Sequence, residues 1–291
     1  MDPPVSPAEI RHPDRPASGI IASAATDTGA DTRNSGDESM TPWEGLAIFA
    51  AGAGAGTINV IVGSGTLITF PVLLAFGLPP VTANVSNTLG LVPGSVSGAI
   101  GYRRELADQR ARLLRLGSAS LLGGLLGAFL LTRLPSSAFD AIVPVLILLA
   151  LVLVVIQPRV ARAVAARGGA PAHPDGGPLL IAGVFCTGVY GGYFGAAQGV
   201  LLLALMGMLL RDELQRMNAV KNVLALIVNA VAAVFFLFTA TIDWTAALLI
   251  AVGSALGGLV GAKVGRRLPP TALRALIVVV GLTAVTKLLL A

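Results

Sequence analysis

One uncharged stretch of the sequence decides the fold: residues 45–102 read GLAIFAAGAGAGTINVIVGSGTLITFPVLLAFGLPPVTANVSNTLGLVPGSVSGAIGY. These 58 residues contain no Asp, Glu, Lys or Arg. A helix crosses the hydrocarbon core of a bilayer with about 20 apolar residues, so the stretch is long enough for nearly three crossings. The sequence therefore predicts an all-α polytopic membrane protein.

The composition of the whole chain agrees with this prediction. Of the 291 residues, 55% are hydrophobic and 12% are charged, and the mean hydropathy is +0.82. Soluble domains carry about 25% charged residues. These values exclude a soluble globular domain, a disordered protein and a charged nucleic-acid binder. The single cysteine, Cys186, excludes a disulfide within the chain.

The charges are divided between an acidic tail and a basic remainder. Residues 1–40 hold seven acidic and three basic residues, a net charge of −4, whereas residues 41–291 hold 8 acidic and 17 basic residues, a net charge of +9. We expect residues 1–42 to form a disordered tail, because they are rich in Pro, Asp, Ser and Thr. Thr41, Pro42 and Glu44 are typical of a helix start. Met40 directly precedes them, and we raise the hypothesis that Met40, not Met1, is the true start.

The rest of the chain divides into two halves of five apolar segments each. The first transmembrane repeat, 43–156, holds segments at about 43–62, 66–77, 81–102, 113–132 and 138–156. The second, 178–291, holds segments at about 178–195, 198–210, 216–239, 243–262 and 272–290. Between them, the polar linker 157–177 is predicted to be a cytoplasmic surface loop, since it is rich in Arg, Pro and Gly.

Each half contains a long segment that breaks at a Gly-rich cluster and is followed by a short one. The clusters are VGSGT (62–66) and GAAQG (195–199). The pattern predicts two Gly-broken hairpins and 8–10 membrane segments, depending on whether the broken segments cross fully.

Basic loops set the orientation. Lys and Arg concentrate after the third segment, in the linker and after the ninth segment, and such loops stay in the cytoplasm. We therefore expect both termini outside the cell (inner) membrane. Because each half has an odd number of segments, the halves have opposite orientation, which is the inverted-repeat plan of secondary transporters.

The two Gly-broken hairpins are the first candidate for a binding site. A short helix that starts at membrane depth offers free N–H groups and a positive dipole end to an anion. Close packing of helices through glycine is the alternative explanation. The candidate residues here are Ser64, Gly65 and Thr66 in the first half and Tyr190, Tyr193 and Gln198 in the second.

Two matched polar helix faces are the second candidate. Asn84 and Asn87 precede Thr88 with i, i+3, i+4 spacing, and Ser86 lies beside them; Asn218, Lys221 and Asn222 repeat this spacing in the second half. Together the two faces predict a donor-rich site for a small anion. Interhelical hydrogen bonds are the alternative for each Asn, and snorkelling to the surface is the alternative for Lys221. Asn59 and Asn229 are deeper single polar residues that fit either explanation.

The sequence lacks the residues that catalysis, metal binding or ATP hydrolysis would need. No carboxylate lies deep in a segment, both His residues lie in polar segments, and no Walker-type loop occurs. We therefore expect no enzyme activity, no cofactor and no bound metal, and the partners we expect are a small anion and the lipid bilayer. A homo-oligomer is left open. A passive anion channel and a membrane scaffold or assembly factor for a redox enzyme remain alternatives to a secondary transporter.

Residues 62–106 and 190–222 resemble a known family. The marks in the first stretch are the Gly-rich cluster, Pro71, the turn at Gly77, Pro79 and Pro80, then Ala83 and Ser86, and the basic exit at Arg103 and Arg104; the second stretch holds YGGYFGAAQGVLLLALMG followed by NAVKN. They resemble the sulfite exporter TauE/SafE family of membrane transport proteins. The resemblance implies export of small sulfur-containing anions such as sulfite, thiosulfate or sulfonates. The family's GxGGG pattern is replaced by VGSGT and GAAQG here.

Overall fold

The computed structural model describes residues 40–166, 176–264, 275, 277–283 and 286. Within these residues the chain is helical and contains no strand, and residues 277–283 are helical beyond the last bounded element. The bounded helices are α1 (Pro42–Ile61), α2 (Thr66–Ala75), α3 (Pro80–Gly101), α4 (Arg110–Arg133), α5 (Ser136–Ala166), α6 (Gly177–Tyr193), α7 (Gln198–Leu209), α8 (Leu214–Thr239) and α9 (Trp244–Val264).

The start of α1 confirms the predicted cap. The backbone N–H of Thr41 donates to Glu44 Oε2 at 2.9 Å, and the N–H of Glu44 donates to Thr41 Oγ1 at 3.3 Å. This reciprocal pair satisfies two of the N–H groups that a helix start leaves without intrahelical partners. The residues before Met40, where a disordered tail was expected, lie outside the described residues.

The linker corrects one prediction. Residues 157–177 were expected to form a surface loop, but α5 continues through Pro158 to Ala166. Proline removes one backbone donor from a helix, and the following run of Val, Ala and Arg nevertheless stays helical. The last part of the linker, residues 167–175, lies outside the described residues.

The helices are those of a multi-pass membrane protein. Five described helices are long and apolar enough to cross a bilayer: α1, α4, α8, α5 over Ser136–Arg159 and α9 over Trp244–Lys263. Three shorter apolar helices, α2, α6 and α7, accompany them. Large apolar side chains such as Phe238, 83% exposed, cover the outer surface, which suits contact with lipid tails.

Small residues bring α1 against α9. A Cβ atom built on Gly52 would lie 2.9 Å from Ile250 Cα, and one built on Gly56 would lie 2.7 Å from Ser254 Cα. The contacts advance in the same direction along both helices, so α1 and α9 run parallel. Small residues allow this close approach between membrane helices.

A second helix pair, α4 and α6, packs in the same manner. A Cβ atom on Gly123 would lie 2.3 Å from the carbonyl oxygen of Phe185, and one on Gly127 would lie 2.1 Å from that of Val189. Again the contacts advance together, so α4 and α6 run parallel. Helices α3 and α8 lie between the two pairs, because α3 packs on α9, α8 packs on α4, and α3 and α8 contact each other.

Candidate substrate site

Helices α1 and α6 end in the same way. After α1, the N–H groups of Val62 and Gly63 donate to the carbonyl of Ile58 at 2.7 and 3.1 Å. After α6, the N–H groups of Phe194 and Gly195 donate to the carbonyl of Tyr190 at 2.9 and 3.1 Å. The φ angles of Gly63 and Gly195 are +86° and +78°, values that glycine adopts without steric cost. We call residues 62–65 the first break and residues 194–199, which include the first two residues of α7, the second break.

The second break meets the first at the start of α7. The N–H of Gly199 donates to the carbonyl oxygen of Gly63 at 3.0 Å. A Cβ atom on Gly63 would lie 2.4 Å from Gly199 Cα, and one on Gly199 would lie 2.5 Å from Gly63 Cα. Glycine is therefore needed at both positions. As a result, the starts of the two short helices come together inside the protein.

Each polar face bonds to the end of a helix in the other half of the chain. On α3, Asn84 Nδ2 donates to the carbonyl of Tyr193 at 2.9 Å, at the end of α6. On α8, Asn218 and Asn222 Nδ2 donate to the carbonyl of Val60 at 3.4 and 3.5 Å, near the end of α1. These bonds satisfy carbonyls that a helix end leaves without intrahelical partners.

Lys221 faces inward rather than snorkelling. Its side chain is fully buried, and Nζ donates to the carbonyls of Asn59 and Val60 at 3.1 and 2.9 Å. These carbonyls form the negative end of the α1 dipole, where a cation is favourable. The residue holds the first break in position and leaves one N–H of its ammonium without a partner among the described residues.

Asn87 connects α3 to the start of α2. Its Nδ2 donates to Thr66 Oγ1 at 3.3 Å, and its Oδ1 accepts from the hydroxyl of Thr69. Sequence reasoning missed Thr69, although it follows Thr66 by three residues and so lies on the same helix face. Ser86 lies apart from the breaks, because its Oγ accepts from the N–H of Asp243 at 2.9 Å, in the loop before α9.

Several buried polar atoms at the breaks have no hydrogen-bond partner among the described residues. Ser64 is fully buried with Oγ unpartnered, and Gln198, only 3% exposed, has Nε2 unpartnered. The Oδ1 atoms of Asn84 and Asn218 and the hydroxyl of Tyr193 share this property. The great majority of buried polar groups in proteins are paired, so these atoms indicate where a polar ligand or water would bind. The Tyr190 hydroxyl, by contrast, donates to the carbonyl of Ala196 at 2.5 Å.

Ser95 joins three helices beside the breaks. Asn59 Nδ2 on α1 and Asn229 Nδ2 on α8 donate to Ser95 Oγ on α3 at 3.5 and 3.3 Å. The sequence suggested both Asn residues but not Ser95. Its position seven residues after Thr88, two helix turns along the same face, is the signal that could have found it.

An ion-pair cluster links the starts of α4 and α8. Asp212 accepts from Arg112 on α4 and, at 3.1 Å, from Arg216 Nε on α8. Burial alone would raise the pKa of Asp212, but the hydrogen bond from Arg112, the N–H of Glu213 and the charges of Arg112 and Arg216 together lower it below its usual value. The carboxylate therefore stays ionised and joins the two halves at this end.

The apolar exterior and the buried polar breaks define the class as a membrane transport protein, and comparison with known proteins identifies the family. The model of the family described as Sulfite exporter TauE/SafE matches residues 48–288, so the chain belongs to this family. It is 26% identical over 239 residues to the "Probable membrane transporter protein YfcA" of Escherichia coli (strain K12), covering 81% of this chain and 86% of that protein. It is 28% identical over 244 residues to the "Probable membrane transporter protein ORF9" of Sinorhizobium sp, covering 83% and 91%. No solved structure matches the chain. The resemblance read from the sequence is confirmed.

Proposed function

We propose that this protein is a secondary transporter that exports small sulfur-containing anions, such as sulfite, thiosulfate or sulfonates, across the cell (inner) membrane by alternating access. The contact between Gly199 N–H and the Gly63 carbonyl carries the proposal. It brings the positive ends of two short helices to one place inside the protein, and such ends bind anions.

The donors at this place suit an oxyanion. Ser64 Oγ and Gln198 Nε2 lack partners among the described residues, and the Lys221 ammonium, whose stem packs beside Gly199, supplies positive charge. Gly65 and Thr66 present backbone N–H groups at the start of α2. The oxygen atoms of a sulfur oxyanion would accept from these groups. Asn84, Asn218 and Asn222 position the helix ends, and Asn87 positions α2.

An inverted repeat accounts for the helix contacts. Exchange of α1–α4 with α6–α9, in order, converts the α1–α9 pair into the α6–α4 pair, and the α3–α9 contact into the α8–α4 contact. The same exchange relates the end of α1 to the end of α6, which have matching hydrogen bonds. It also relates the bond from α3 to the end of α6 to the bonds from α8 to the end of α1. This relationship supports two Gly-broken hairpins, α1–α2 and α6–α7, related by a pseudo-two-fold axis.

This arrangement supports alternating access. Each half holds the broken helix end of the other through a few side chains, so rocking one half against the other moves both breaks together. Basic loops support a cytoplasmic location for the Arg112–Asp212 cluster and a location of both termini outside. On this orientation the cluster closes the cytoplasmic end of the two halves.

Counterflow in proteoliposomes tests the proposal. The purified full chain is reconstituted with unlabelled thiosulfate inside, and uptake of external ³⁵S-thiosulfate is followed with and without the internal anion. A transporter accumulates label transiently and saturably when the inside is preloaded. A channel gives flux that internal thiosulfate does not accelerate, and a scaffold gives none. Either of these two results overturns the proposal. Competition by sulfite, taurine or chloride for thiosulfate uptake measures the selectivity.

A further inference from the structure

Lys221 lies in an unusual environment for a charged residue. Its side chain is fully buried within the membrane-spanning part of α8. A Cβ atom built on Gly199 would lie 3.0 Å from Lys221 Cδ, so its aliphatic stem packs against the contact between the breaks. Binding of an anion by the breaks does not by itself use the proton of this ammonium.

The two carbonyl partners of Nζ fit either protonation state. An ammonium group has three N–H donors, whereas the neutral amine has two N–H donors and one lone pair. Nζ donates to two carbonyls, those of Asn59 and Val60. Both states therefore satisfy these carbonyls, and they differ only at the third position, which carries either an N–H or a lone pair.

No carboxylate among the described residues faces this ammonium. On the helices packed around it, α3 and α7 contain no titratable side chain, and the one acidic residue of α1, Glu44, caps the far end of that helix. The remaining titratable or charged side chains on α4, α6 and α8 are Arg110, Arg112, Arg115, Arg133, Cys186, Tyr190, Tyr193 and Arg216. In the loop after α3, Tyr102 packs with Val60 and Ala219 beside Lys221. The charge on Lys221 is therefore opposed only by carbonyl dipoles until an anion binds.

We propose that Lys221 binds and releases one proton in each transport cycle, so that the anion and a proton cross the membrane in the same direction. The inference rests on the proposed function. A buried charge without a counter-charge is costly, and a bound anion removes that cost. Anion binding and protonation of Nζ therefore favour each other, and this coupling is reciprocal.

The proton balance of this cycle is simple. On the loading side, the Nζ lone pair takes a proton from water as the anion binds. On the release side, the anion leaves and the proton returns to water, and no other bond forms or breaks. One proton carried with a dianion such as thiosulfate leaves one net negative charge to move, so a membrane potential that is negative inside still drives export.

Thiosulfate with a pH-sensitive dye tests the coupling. Thiosulfate is fully ionised at neutral pH, so a change in dye signal inside proteoliposomes reports protons moved by the protein. With the wild type, we expect thiosulfate entry to acidify the interior by about one proton per anion, in line with a single titrating group. In Lys221→Arg the guanidinium stays charged, so the ratio of protons to thiosulfate should fall at least tenfold for whatever flux remains. Lys221→Met should show the same fall.

A control variant and the contrary outcomes distinguish proton coupling, the role of Lys221 and the proposed function from one another. Lys263→Met removes an exposed lysine near the end of α9 and should keep the wild-type ratio. Thiosulfate flux without acidification in the wild type overturns proton coupling and leaves the transporter standing. Wild-type acidification that persists in both Lys221 variants overturns the role of Lys221. Absence of thiosulfate counterflow in the wild type overturns the proposed function and this inference with it. If neither variant transports, thiosulfate binding decides the role of Lys221: a pH dependence of the wild-type Kd that persists in both variants overturns it.

Discussion

The backbone N–H of Gly199 lies 3.0 Å from the carbonyl oxygen of Gly63, and this bond joins the break between α1 and α2 to the break between α6 and α7. Two residues that are far apart in the chain thereby come into direct backbone contact. The bond exists because neither residue has a side chain that would separate the two backbones.

A methyl group at this contact should disrupt it. In Gly199→Ala, the new Cβ would lie 2.5 Å from Gly63 Cα, so the breaks must move apart. We expect a loss of about 1–3 kcal/mol in stability, as for other overpacked sites, and loss of thiosulfate counterflow. Thermal unfolding in detergent measures the first effect.

Gly54→Ala is the matched control for this substitution. Its Cβ would have no neighbour within 4 Å, and alanine is a better helix former than glycine. Its Tm should stay equal or rise. A Gly199→Ala protein as stable and active as the wild type would contradict the role given to the contact.

Removing the unpartnered hydroxyl of Ser64 should weaken anion binding without weakening the fold. Ser64→Ala breaks no hydrogen bond of Oγ among the described residues, so its Tm should match the wild type. A hydrogen bond to a charged ligand contributes about 1.5–3 kcal/mol, so the KM for thiosulfate should rise roughly tenfold or more.

Ser118→Ala serves as the control, since the exposed Ser118 hydroxyl donates only to the Arg115 carbonyl on its own helix. Gln198→Ala should behave like Ser64→Ala in the KM measurement. An unchanged KM in both site variants would remove the two residues from the site.

The bond between Asn84 and Tyr193 should contribute to stability. Asn84→Ala leaves the Tyr193 carbonyl without its donor from α3, and an unsatisfied buried acceptor costs about 1–3 kcal/mol. We expect a lower Tm in detergent. Thr88→Val, one turn further along α3, removes only a bond to the Asn84 carbonyl within the same helix and should leave the Tm nearly unchanged. Equal effects of the two substitutions would contradict this assignment.

The Asp212 cluster should make stability depend on acid pH. Because the folded-state pKa of Asp212 is lowered, its stabilisation is complete above the unfolded value of 3.8 and is lost as pH falls through the lower folded value. Asp212→Asn should therefore lower the Tm at neutral pH and flatten the decline of Tm below about pH 4. Glu213→Gln changes the exposed neighbouring carboxylate and should leave both features in place. If the Tm of Asp212→Asn and of the wild type depended on pH in the same way, the cluster would not contribute to stability as proposed.

Cysteine labelling in intact cells tests the proposed orientation. In a Cys186→Ser background, Thr241→Cys lies in the loop between α8 and α9, and Arg104→Cys lies in the loop between α3 and α4; both positions are exposed. A membrane-impermeant maleimide should label the first and spare the second. The reverse pattern would invert the assignment of the termini and of the Asp212 cluster.

Much of the fold could be predicted because its signals are local. The long uncharged stretch predicted membrane helices, and Thr41 with Glu44 predicted the start of α1. Gly63 and Gly195 predicted where α1 and α6 end, since a positive φ at a helix end is a preference of single residues. The predicted end of α5 was wrong, because α5 continues through Pro158 to Ala166. A proline weakens a helix without stopping it when the following residues favour helix.

The partners of the polar side chains could not be predicted in this way. The polar spacing on α3 and α8 showed which residues share a face, but Ser86 meets Asp243 whereas Asn84, beside it, meets Tyr193. Such bonds depend on how helices pack, and packing in lipid depends on contacts between small residues of different helices.

By itself, the sequence determined that this protein is helical, that it lies in a membrane and that α1 and α6 end beside Gly63 and Gly195, because hydropathy and glycine conformation act within one segment. Only the tertiary structure decided that the two breaks touch at Gly63 and Gly199 and that Lys221 turns inward to the end of α1. Those contacts join segments that the chain keeps far apart, and the packing of α1 with α9 and of α4 with α6 brings them together.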